Sequence, residues 1–185
     1  VRFQSGRGAP EELVFNRLID WTSHPDEGVQ YFSGSAVYRK TVEIPESWLA
    51  EGRGVLLDLG EVREIAEVAV NGSVLPVSWN LPHEVDVTDA LRPGTNELFI
   101  RVTNLWPNRI IGDHRQFRHA QEWFAEDGDW HPAFADPGVS LPDGRITGYS
   151  WKMWHAGSDL LPSGLLGPVR LVPQQATDSP NMNPQ

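Results

Sequence analysis

The sequence has no cysteine, which excludes disulfides, thiolate metal sites and a cysteine nucleophile together. That absence does not fix a compartment. No apolar run reaches the roughly 18 residues that a membrane-spanning helix needs, so none is expected. Cations are scarce: 15 Lys and Arg stand against 25 Asp and Glu, for a formal net charge of −10. Nucleic acid and anionic membrane surfaces are bound by basic patches, so neither is expected as a partner. There is no serine-nucleophile motif, no phosphate loop, no dinucleotide fingerprint and no internal repeat. The first residues show no leader pattern, and the missing initiator Met reads as an excised fragment.

The residues that are present point to strands. With 185 residues and 39% hydrophobic composition the chain has enough for one core, and 17 Gly with 15 Pro suit short strands and long loops better than helices. Residues 1–10 have no period and are expected to be an extended lead-in. A strand is expected around Glu12–Asn16, with a short amphipathic helix as the competing reading. Gly34–Ile44 alternates clearly, Ala36, Tyr38, Val42 and Ile44 against Arg39, Thr41 and Glu43. Lys40 breaks its apolar face, as suits a sheet edge. After a loop with one helical turn at Glu46–Ala50, Gly54–Leu59 and Ile65–Val70 read as strands. Asn71-Gly72 is a strong hairpin signal, and the chain should return through Val74, Leu75 and Val77. Asn71-Gly72-Ser73 also fits a glycosylation sequon; the turn is the preferred reading. Leu81–Val87, Glu97–Thr103 and Val169–Val172 are the remaining strands. The tail 174–185 is polar and Pro-rich and is expected to be disordered. Short strands with turn signals about every 8–12 residues make an all-β domain, a β-sandwich over residues 11–173.

The stretch from Val102 to Asp113 organises the rest. Leu98, Ile100 and Val102 share one strand face. Pro107 cannot donate to a ladder, so the strand should stop near Asn104. At its end gather Asn104, Trp106, Asn108, Arg109 and Asp113. Beyond them, residues 114–160 read as a long irregular insertion rich in aromatics.

Several stretches together resemble a known family. They are Tyr31–Lys40, Leu57–Val68, Val70-Asn71-Gly72, Asp86–Leu91 and Leu161–Arg170. They look like the C-terminal β-sandwich of family 106 glycoside hydrolases, the α-L-rhamnosidase family. More distantly they are similar to the sugar-binding jelly-roll domain of family 2 glycoside hydrolases, a galactose-binding-like fold. The resemblance covers about Leu13–Asp113 and Arg145–Val172. It implies a jelly-roll β-sandwich and a catalytic domain in the same parent chain. It also implies that the strand end with Asn104, Trp106, Asn108, Arg109 and Asp113 approaches a sugar. The segment His114–Gly144 is longer than the connection usual in that family.

Read as residues alone, Asn, Arg and Asp side chains suit vicinal hydroxyls, and a Trp face stacks on a pyranose. The alternative is structural: an Arg109–Asp113 pair, a packed Trp106 and turn-capping asparagines. In the long insertion, Trp123, Trp130, Trp151 and Trp154 are candidates for a sugar platform, or else for a satellite core or a docking face. Asp127 and Asp129, in Glu126-Asp127-Gly128-Asp129, are a candidate structural calcium site. The stretch is not an EF-hand loop, since no Glu falls at the bidentate position, and a solvated acidic turn is the alternative. No other cofactor is expected, and the scattered histidines do not make a zinc site.

The function expected is non-catalytic carbohydrate binding, to plant or microbial polysaccharide, by a domain of a rhamnosidase-like hydrolase that is secreted or periplasmic. No catalytic residue is assigned. Two alternatives stay open: an accessory domain that completes the active site of a catalytic domain, and a self-contained glycan-active enzyme.

Overall fold

In a computed structural model, residues 1–116 and 153–175 are described. They contain strands β1 (Arg2–Phe3), β2 (Ser35–Ile44), β3 (Gly54–Asp58), β4 (Glu61–Arg63) and β5 (Ile65–Val70). Then come β6 (Ser73–Val74), β7 (Glu84–Asp86), β8 (Gly94–Thr103), β9 (Gly164–Gly167) and β10 (Arg170–Gln174). Two α-helices join them, α1 (Glu27–Gln30) and α2 (Pro107–Gln116). A five-stranded sheet runs β1-β2-β8-β5-β6; a three-stranded sheet runs β10-β3-β7; β4 pairs with β9. Every named pairing is antiparallel. This is the expected all-β sandwich.

β2 and β8 form its axis, paired over ten residues from Ser35↔Thr103 to Ile44↔Gly94. Their alternation sends Ala36, Tyr38, Leu98, Ile100 and Val102 inward, where they meet Val55, Leu57 and Val85 from the smaller sheet. β1 covers β2 only at Ala36 and Val37. Beyond that, β2 is an open edge, and exposed Lys40 sits on it. Phe3, Trp21 and Phe32 meet edge-to-face with ring centroids 4.9–5.5 Å apart. Each such pair adds about 0.5–1.5 kcal/mol beyond the area it buries. The Asn71-Gly72 hairpin forms, with φ +51° and +87° at the two turn residues. The Asn71 amide donates to Ala90 O and Asn96 Oδ1 and accepts from Glu97 N. The turn reading of that sequon therefore holds in the fold.

Several expectations need correction. The lead-in supplies β1, and Phe3 is core at 2% exposure, because three aromatic rings close around it. Glu12–Asn16 makes no strand; Glu12 forms only an isolated bridge with Arg2. The strand expected at Leu81–Val87 shrinks to Glu84–Asp86. The return after the hairpin is a strand of two residues only, Ser73–Val74, and Val74 faces solvent. α2 follows Pro107 directly and runs through Gln116, into residues 114–116 where the irregular insertion is expected to begin. Pro107 ends a strand, and its fixed φ equally suits the first position of a helix. Within the insertion, residues 117–152 lie outside the described residues, as does the tail 176–185.

Candidate functional site

The site begins where β8 runs out. At Asn104 the strand hands over to α2, and the side chain there is fully engaged. Its Oδ1 accepts from Gly34 N at 2.9 Å. Its Nδ2 donates to Phe32 O at 2.8 Å and to Ser163 Oγ at 2.5 Å. Ser163 N in turn donates to Asp20 Oδ1, which also accepts from Thr22 N. One buried amide thus ties β8, the turn before β2 and the segment returning into β9.

Asn108 does the same at the second position of α2. Its Nδ2 donates to Leu161 O at 2.7 Å, and its Oδ1 accepts from Leu161 N at 2.8 Å. It is 2% exposed. Arg109 and Asp113 form the i,i+4 ion pair that their spacing allows, and both side chains are buried. Arg109 Nε and Nη1 are buried without a hydrogen-bond partner. Gly112 lets α2 approach Tyr31, since a Cβ there would lie 2.4 Å from the ring. Arg115 then crosses Tyr31, 6.0 Å from its centroid, and donates to Ala156 O and Ser158 O. Burial pushes the His114 imidazole below its ordinary value; Asp113 opposes this and His155 adds to it.

The five residues expected at the strand end are therefore brought together, with divided duties. Asn104, Asn108 and the Arg109–Asp113 pair face inward. Trp106 remains 60% exposed, with Leu105 beside it in sequence at 48%. Trp154 is half-buried on the returning segment. Trp123, Trp130, Trp151, Asp127 and Asp129 lie outside the described residues. Among the described residues, no cluster of three His, Asp or Glu side chains is arranged to hold a metal ion. There too, no helix is long and apolar enough to cross a membrane.

Sequence reasoning did not anticipate Trp79 as a surface residue. It is 71% exposed and belongs to a wider pattern. Ten large apolar side chains are exposed among the described residues, and seven of them sit at the β5–β6 edge or just beyond the end of β8. The available signal was Ser78-Trp79-Asn80, a large aromatic between polar neighbours ahead of a Pro. The loop carrying it is fixed. Ser78 and Ala66 exchange two backbone hydrogen bonds at 2.8 Å, and Ser78 Oγ contacts His83 Nδ1 at 2.9 Å. Burial holds the His83 imidazole low; nearby Arg63 adds to this and Glu64 opposes it.

A cleft of about 550 Å³ opens elsewhere, between Phe15, Tyr38, Val42, Leu98, Ile100 and Leu171. Its walls are mainly apolar, a poor match for a hydroxyl-rich ligand.

Residues 21–166 match the family described as "Glycosyl hydrolase 2 galactose-binding domain-like". The chain is 37% identical over 174 residues to a protein of Formosa agariphila named "Putative beta-glucuronidase", covering 92% of this chain and 15% of that one. It is 40% identical over 68 residues to a beta-galactosidase of Arthrobacter sp. (strain B7), covering 35% of this chain and 7% of the other. A solved rhamnosidase from Novosphingobium sp. PP1Y aligns with 94% of this chain at 35% identity and a TM-score of 0.72. This chain covers 14% of that enzyme. The chain thus spans only about one seventh of the rhamnosidase and of the Formosa relative.

Proposed function

The chain belongs to the glycosyl hydrolase 2 galactose-binding domain-like family, and from that premise we propose that it is a non-catalytic, sugar-contacting domain of a larger glycoside hydrolase. The observation that carries this reading is Trp106. It stands exposed at the end of β8, on a frame whose neighbouring amides are locked by internal hydrogen bonds. A rigid aromatic face needs little ordering to stack on a pyranose. Asn104 and Asn108 hold that frame, and the buried Arg109–Asp113 ion pair stiffens the helix that follows it. Trp154 and the three tryptophans of 117–152 extend the same reading.

The similarity to a rhamnosidase makes rhamnose-containing glycans the first ligands to try, with glucuronide and galactoside oligomers next. Polysaccharides are too large to enter a cell, so the proposal places the domain outside the cytoplasm, secreted or periplasmic. Calorimetric titration of the chain with these three panels tests it. Saturable binding that is lost in Trp106→Ala, with an unchanged melting temperature, is the expected result. Flat traces across all panels overturn autonomous binding.

A further inference from the structure

From the clustering of exposed apolar side chains we infer that the β6 edge of the larger sheet is a docking face for protein, and that its occupant is the neighbouring polypeptide of the same glycoside hydrolase. The inference rests on the proposed function, in that a larger hydrolase must exist.

The face is built by register. Ala66 bridges Ser78, so the next antiparallel step sets Trp79 beside Ile65. Ile65 in turn pairs with Thr103 at the end of β8. Val74 pairs with Ala69 on the same edge, and Val77 and Leu81 flank Trp79 in sequence. The exposures run from 41% at Ile65 to 81% at Val74. Singly exposed apolar residues are ordinary on a protein surface, but a contiguous group marks an interaction site.

The chemistry favours protein over sugar. A sugar site needs hydrogen-bonding groups converging beside the aromatic ring. Here the other exposed apolar residues of the edge, Ile65, Val74, Val77 and Leu81, are aliphatic, and the Ser78 hydroxyl and His83 imidazole of the same loop are buried and bonded to each other. An exposed aromatic among aliphatics is the composition of an interface centre. β6 also ends the sheet order, leaving an edge that proteins commonly cover. The 78–83 loop is already held by its bridge to Ala66 and by Leu59 N donating to His83 O. Docking would therefore cost little ordering.

Length identifies the occupant. Two proteins align with more than nine tenths of this chain, yet the chain covers only 14% and 15% of them. In both, this region has some six times its own length of polypeptide beside it. A stable apolar face in such a setting is most simply met by that polypeptide.

The test produces this chain and, separately, the remaining polypeptide encoded by the same gene, and measures their association by calorimetry and co-elution. Association is expected, with amide exchange slowed across residues 73–81 in the complex. The Trp79→Ser/Leu81→Ser variant should weaken binding by about tenfold or more, as loss of central anchors does, while its melting temperature alone stays unchanged. Val14→Ser, 87% exposed and off this face, should bind as the parent does. Undiminished binding by the double variant, or exchange unchanged at 73–81, overturns the inference and leaves the proposed function standing. A gene encoding nothing more, or no association at all, overturns the inference together with the larger-hydrolase premise. A chain that dimerises alone through Trp79 overturns it in favour of a second copy.

Discussion

Asn108 faces Leu161 as one peptide group faces another. The side-chain amide donates to the Leu161 carbonyl and accepts from its N–H, at 2.7 and 2.8 Å, across 53 residues of sequence. Arg115 adds a second clamp between α2 and the returning segment, at residues 156 and 158.

Asn108→Ala should therefore destabilise the domain. It leaves a part-buried donor and acceptor of Leu161 without partners, at about 1–3 kcal/mol each. Chemical denaturation should show a loss of about 2–6 kcal/mol. Asn108→Asp should recover only part, since a carboxylate accepts from Leu161 N but repels its carbonyl. A stability within about 0.5 kcal/mol of the parent, the range of an ordinary surface change, would mean that the pair does not hold the segment to the helix.

Tyr38 makes a second test of the buried polar frame. Its hydroxyl accepts from Trp21 Nε1 at 2.6 Å and from Leu165 N at 3.2 Å. Burial pushes its pKa up to about 12, against the pull of those two donors, so it stays a phenol at any ordinary pH. Tyr38→Phe keeps the ring and strands both donors. The expected cost is about 2–5 kcal/mol, read by urea denaturation, with Trp21 fluorescence shifted as its indole N–H loses its partner. An unchanged midpoint would mean that water replaces the hydroxyl.

How much of this was legible in the sequence depends on the range of the interaction. Ile65–Val70 and the Asn71-Gly72 turn are local patterns, and both form as expected. The alternation of β2 and β8 likewise fixed which side chains face the core. β4 and β9 are three and four residues long and pair Val62 with Leu165, so no local period announces them. α2 was hidden because Pro107 stops a strand and starts a helix with equal ease. At the site, residue types pointed to the right cluster. They did not reveal that the Asn104 and Asn108 amides would be spent on Phe32, Gly34, Ser163 and Leu161, because those partners lie 53–72 positions away. Trp79 was missed for the opposite reason: an exposed Trp breaks the pattern that sequence reading relies on.

Stability should fall on mild acidification. Burial holds His83 below the ordinary histidine value of about 6.5, and His114 is shifted the same way. As pH falls, the unfolded chain takes up these protons before the folded one does. The contribution is therefore full above about pH 6.5 and is lost progressively below it, until the folded imidazoles also protonate. Urea titrations at about pH 8 and about pH 5.5 should show the drop, above the range where carboxylates dominate. His83→Gln should shrink it while His114 keeps the remainder. A flat profile, or one that substitution of either histidine leaves alone, contradicts the assignment.

Gly112→Ala sets two effects of opposite sign against each other. In a helix interior Ala is favoured over Gly by about 1 kcal/mol, so propensity alone forecasts a more stable α2. Packing forecasts the reverse. A Cβ at 112 would lie 2.4, 2.6 and 2.8 Å from Cγ, Cβ and Cδ1 of Tyr31, which is itself buried beneath Arg115. Overpacking of this kind costs about 1–3 kcal/mol, so the net change should be destabilising. The relief available is for α2 to lift off Tyr31. That would loosen the Arg115 bonds to residues 156 and 158 and speed amide exchange along 153–163. Tyr31→Ala is costly alone, but in that background Gly112→Ala should turn neutral or stabilising, because the ring it strikes is gone. A double-mutant cycle measures that reversal. Equal effects of Gly112→Ala in both backgrounds would show that the helix is not seated on Tyr31.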